Sequence, residues 1–145
     1  MKNILAALLA VGLSACALPP TKLYSGEVTD RSTLTAVSWH NTARDKGLWG
    51  IGVDSVGGKS VNLLSTDALI EPGEYIVKIT CFKEYNPGGV KIDGVASGKG
   101  EKLMKLEAGT RYFLQGKIDY SRTYVENGKP YRFCEPVVYK RYYLK

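Results

Sequence analysis

Histidine is almost missing from this chain: His40 is the only one among 145 residues. That closes most routes to proton transfer near neutral pH and to a histidine-built metal site. Cysteine is scarce too, with three residues and no close spacing. Cys81, Cys134 and His40, far apart in sequence, do not make a zinc site. The apolar run Ile4–Leu13 is ten residues long, whereas a membrane-spanning helix needs about 20. Convincing helical periodicity is absent after residue 16. A nucleotide loop is also missing. Ser97-Gly98-Lys99-Gly100 has Asp93 where that loop needs Gly, and Gly100 where it needs Ser or Thr. It reads as a flexible loop. Asp54-Ser55 is too sparse in oxygens for calcium.

The chain does begin with a recognisable layout. A basic start, Met1-Lys2-Asn3, precedes the short apolar core and the small residues Ser14-Ala15. That is the order of a secretory signal. Leu13-Ser14-Ala15-Cys16 resembles the lipobox of bacterial lipoproteins. The resemblance implies that residues 1–15 are a helical signal peptide and that acylated Cys16 is the first mature residue. The lipid bilayer is then a partner through Cys16. Pro19-Pro20 disfavours helix, so residues 16–27 read as the lipidated Cys and an extended tether. Residues 28–145 read as a single β-domain. Ala17 rather than Asp after the Cys implies the outer membrane, by resemblance to enteric lipoproteins, with the periplasmic or exterior face left open.

With Cys16 taken by lipid, Cys81 and Cys134 remain. Export, parity and strand context predict a disulfide between them, ahead of a free catalytic thiol.

Charge is unevenly spread. Formal net charge is +6. Loss of Lys2 with the signal leaves +5, and the segment from Arg111 onward accounts for all of it. Seven of the ten Tyr lie at or after Tyr112. Arg111, Lys117, Arg122, Lys129, Arg132, Lys140 and Arg141 are the candidate residues for an anionic surface, either lipid headgroups or an anionic polymer. The plainer reading is that Tyr fills half-wet strand positions and the cations protect strand edges. Nucleic acid is not expected as a partner of an exported domain.

The body alternates with a period near two. Strands are predicted at Leu34–His40, Leu48–Val53, Ser60–Leu64, Tyr75–Phe82, Lys102–Leu106, Arg111–Tyr120 and across Phe133–Tyr143. Turns fall at Gly57-Gly58, Glu71-Pro72-Gly73-Glu74, Glu107-Ala108-Gly109 and Asn127-Gly128-Lys129-Pro130. Tyr85–Gly100 reads as loop with a short strand at Val90–Ile92. A short helix is expected near Thr42–Gly47 or Ser65–Ile70. About seven short strands predict an all-β fold: an antiparallel β-sandwich, or alternatively a small β-barrel.

Lys22-Leu23-Tyr24-Ser25-Gly26, Ile51-Gly52-Val53-Asp54, Leu69-Ile70-Glu71-Pro72-Gly73-Glu74-Tyr75 and Leu106–Tyr112 resemble motifs of a group of small Gram-negative lipoproteins. Asp54 departs from the group's pattern in being followed by Ser rather than Gly. The resemblance implies a transthyretin-like or carboxypeptidase-regulatory-like sandwich and no catalytic residues.

The expected function is a membrane-anchored, non-catalytic β-domain of the bacterial envelope that binds an envelope protein or polymer, with no cofactor and no metal. Two alternatives stand beside it. One is a secretion-system accessory lipoprotein or an inhibitor of a host enzyme. The other is a small hydrolase of cell-wall or surface glycan, for which His40, Asp93 and Glu101, or the pair Glu71 and Glu74, are the candidates.

Overall fold

The computed structural model describes residues 18–44, 47–82 and 96–144. The signal segment, Cys16, the expected Val90–Ile92 strand and Asp93 lie outside the described residues. Among those described, the chain forms nine strands and one single-turn 3-10 helix at Arg31–Thr33. The strands are β1 (Thr21–Lys22), β2 (Thr35–Trp39), β3 (Gly50–Val56), β4 (Lys59–Ser60), β5 (Asp67–Ile70), β6 (Gly73–Phe82), β7 (Ala96–Leu106), β8 (Thr110–Glu126) and β9 (Lys129–Tyr143).

All nine belong to one curled sheet, in the order β1-β5-β2-β8-β9-β7-β6-β3-β4. The all-β class is as expected, but the shape is an open half-barrel rather than a seven-stranded sandwich. It is mixed rather than antiparallel, because β1–β5, β2–β8 and β7–β9 pair in parallel. Alternation reports which face a side chain takes, not which strand lies beside it. The curl brings β3 back towards β8, where Trp49 and Gly116 exchange two backbone hydrogen bonds of 2.8 and 2.9 Å.

The main core fills the inside of the curl. Val77, Ile79 and Cys81 of β6 face it with Ile51 and Val53 of β3 and Tyr112 and Leu114 of β8. Each such aliphatic side chain contributes about 1.5–3 kcal/mol by leaving water. A smaller cluster, Leu34, Ala36 and Leu69, lies apart and is covered by Tyr24, Val28 and Leu144. β2, paired with β5 and β8, is buried at all five residues.

The chain joins the sheet at Thr21, and Leu23 is already in the core. The predicted domain boundary at residue 28 falls after this point. The expected return strand Ser60–Leu64 shrinks to Lys59–Ser60. No helix forms at Ser65–Ile70, where β5 stands instead, nor among the described residues of 42–47.

The largest correction concerns Ser97-Gly98-Lys99-Gly100, which is strand rather than loop. β7 pairs with β6 along its length, including Cys81↔Gly98 and Ile79↔Gly100. Its glycines are there for space. A Cβ on Gly100 would sit 1.6 Å from the Cys134 carbonyl oxygen.

Candidate binding cleft

β8 and β9 are 17 and 15 residues long, and they outrun the rest of the sheet. β2 accompanies β8 only as far as Leu114. The remainder forms a hairpin arm closed by Asn127-Gly128, whose φ angles of 52° and 73° suit a two-residue hairpin turn.

The arm has a break in its ladder. Asp119 pairs with Phe133 and Thr123 with Arg132, which leaves Tyr120, Ser121 and Arg122 unpaired. Asp119 holds this bulge. Its carboxylate accepts the Ser121 hydroxyl, the Ser121 N–H at 2.9 Å and the Arg122 Nε–H at 2.7 Å. The Ser121 hydroxyl first, and then Arg122, depress its pKa to about 2.

Rings and guanidinium groups interleave beyond the break. Arg122 lies over Phe133 at 4.8 Å and Arg132 over Tyr120 at 5.2 Å. Tyr124 stacks on Tyr131 at 5.6 Å and meets Phe133 at 5.2 Å. Near the tip, Glu126 makes a 2.8 Å ion pair with Lys99 of β7. The arm is thereby tied back to the sheet.

A cleft of about 970 Å³ lies between the arm and strands β3, β6 and β7. Ile79, Gly100, Ile118 and Cys134 contribute its apolar lining. Tyr120, Tyr124 and Phe133 contribute ring surface. Four cations (Lys78, Lys99, Lys117, Arg122) and four acids (Asp54, Glu101, Asp119, Glu135) also line it. Lys78 pairs with Glu101 at 3.5 Å, and Glu135 with Lys102 at 3.4 Å. Asp54 accepts from the Thr80 hydroxyl at 2.9 Å. The Tyr124 hydroxyl is buried with no hydrogen-bond partner among the described residues, and burial raises its pKa.

Cys81 and Cys134 are joined as a disulfide. Gly116 makes room for it, since a Cβ there would lie 2.6 Å from the Cys81 sulfur. The seven basic candidates do not form one patch. Lys117 and Arg122 line the cleft, Arg132 is on the arm and Lys129 is at its turn. Arg111 is at the other end of the ladder, roughly 50 Å of strand contour away. There it is held by Asp67 at 2.7 Å and by the Ser38 hydroxyl at 2.9 Å. Lys140 and Arg141 share that end, with Arg141 over the Tyr112 ring at 5.1 Å.

Of the acid–base candidates, Glu101 reaches the cleft. Glu71 and Glu74 flank an exposed turn. His40 stacks on Phe113 at 5.6 Å, away from the cleft lining. Burial, then Arg44, lowers its pKa against a smaller opposing pull from Asp67. Among the described residues, no group of three His, Cys, Asp or Glu is placed to hold a metal ion. No helix among them is long and apolar enough to cross a membrane.

The ring cluster escaped the sequence reading, although a signal was present. Tyr124 and Tyr131 are each three residues from the Asn127-Gly128 turn, so a two-residue hairpin places them opposite one another. The bulge had no comparable signal.

Fold and cleft define the class: an all-β domain with a charge-balanced, aromatic surface cleft. The chain matches no protein-family model, no curated protein and no solved structure.

Proposed function

We propose that the protein is a lipid-anchored, non-catalytic binding domain of the bacterial outer membrane, which engages an envelope protein through the arm cleft. The observation that carries this reading is the cleft's chemistry. Its rings offer stacking surface, and its acids and cations are equal in number. A uniform polyanion would meet four carboxylates there, whereas a peptide segment carrying both signs of charge beside apolar side chains meets complementary groups. The acids are engaged by Lys78, Arg122, Lys102 and the Thr80 hydroxyl. Such pairing suits recognition better than proton transfer. The anchor rests on the Leu13–Cys16 motif.

A photo-crosslinking residue at Lys117, which makes no ion pair among the described residues, tests the reading in cells. The expected result is a discrete adduct that disappears in a Tyr124→Ala/Phe133→Ala background. The same group placed at Tyr143, at the far end of β9, should give none. Absence of an adduct at 117, or an identical pattern at 143, contradicts it.

A further inference from the structure

One apolar feature of the surface is explained neither by the core nor by the cleft. Leu63 is 90% exposed and Leu64 is 71% exposed, side by side in the turn before β5. The turn is well built. The Asn62 side chain accepts the Leu64 N–H at 3.0 Å, and the Ser65 N–H donates to the Asn62 carbonyl at 2.9 Å. Ser65 itself is buried and donates its hydroxyl to the Asp67 carbonyl. The two leucines are thus displayed by an ordered turn.

The topology says what lies beside them. β1 and β5 are parallel, so the residues that enter both strands are at the same end of the sheet. The Asn62 N–H donates to the Thr21 hydroxyl at 3.3 Å. The leucine turn and the N-terminal entry are therefore neighbours. Cys16 lies five residues before Thr21. That length of chain spans at most about 18 Å. Glu71, by contrast, follows the last residue of β5 and lies at the opposite end.

We propose that the Leu63–Leu64 turn is a second membrane contact, inserted into the same anionic phospholipid bilayer that holds Cys16. The inference rests on the lipid-anchor reading. A short link through Pro19-Pro20 keeps the turn within reach of the lipid surface, and exposed Lys22, next in sequence to Thr21, suits anionic headgroups. Stable attachment by more than one membrane signal follows the usual rule for peripheral proteins. The domain would then stand in a fixed orientation, with the Glu71 turn facing away from the bilayer.

The test uses the full chain produced in a Gram-negative host and purified from its membranes. Leu64→Cys and, separately, Glu71→Cys are labelled with an environment-sensitive fluorophore and reconstituted in phosphatidylethanolamine–phosphatidylglycerol vesicles containing nitroxide lipid. The expected result is about twofold or greater quenching at position 64 and none at position 71. If the chain is membrane-bound but position 64 is quenched no more than position 71, the second contact is overturned and the anchor stands. If the chain is recovered in the soluble fraction, the anchor reading fails and the inference falls with it.

Discussion

Removing the disulfide should be the most costly small change to this fold. Cys81 and Cys134 are separated by 53 positions in sequence. In the chain-entropy model, closing a loop of that length restricts the unfolded chain by about 4 kcal/mol. Both sulfurs are in the main core, so Cys81→Ala/Cys134→Ala also forfeits some packing. About 4 kcal/mol is a large share of the roughly 5–15 kcal/mol that holds a typical domain together. Urea unfolding of the mature domain, oxidised against the double variant, reads the difference. The variant should unfold at lower urea and with a steeper slope, because its unfolded chain exposes more surface. A loss below about 1 kcal/mol with an unchanged slope would mean that the cross-link does not restrict the unfolded chain in this way.

Three further outcomes follow from particular contacts. Gly100→Ala should destabilise by at least about 1–3 kcal/mol, since its Cβ would meet the Cys134 carbonyl at 1.6 Å and β7 must move; an unchanged urea midpoint would contradict that crossing. Tyr124→Ala removes two ring pairs, each worth about 0.5–1.5 kcal/mol, and should raise amide exchange in the arm while β2 and β6 keep their protection. The lowered pKa of His40 means that the unfolded chain takes up its proton first as pH falls. His40 therefore contributes stability that is present above its unfolded value of about 6.5 and is lost as pH falls from there through the folded value. His40→Phe should flatten the urea midpoint between about pH 7.5 and 5.5; an equal pH dependence in the two proteins would contradict the assignment.

Alternation was enough to locate Tyr75–Phe82, whose Val77, Ile79 and Cys81 face the core. Turn chemistry was enough for Asn127-Gly128, where the two left-handed residues close the arm. Cysteine parity pointed to Cys81–Cys134. What escaped were features that depend on non-local neighbours. The parallel pairing of β2 with β8 leaves no mark on either segment. Gly98 and Gly100 looked like loop because their reason for being glycine is backbone of β9, more than 30 residues away in sequence. The basic segment looked like one surface because its residues are close in sequence. A long hairpin instead spreads them from Arg111 at one end to Lys129 at the other, and sets Lys117 and Arg122 among carboxylates. The cleft was not legible as a site, since its lining comes from β3, β6, β7, β8 and β9 together.

Under the proposed function, Cys16 anchors this β-domain to lipid. Intact mass spectrometry of the protein extracted from the membrane fraction reads that anchor without an intermediate step. The predicted mass is that of residues 16–145 with a disulfide and covalently attached acyl chains, and Cys16→Ala should abolish both the acyl mass and the membrane association. A mass that retains residues 1–15, or one that begins at residue 16 without acyl chains, would contradict it.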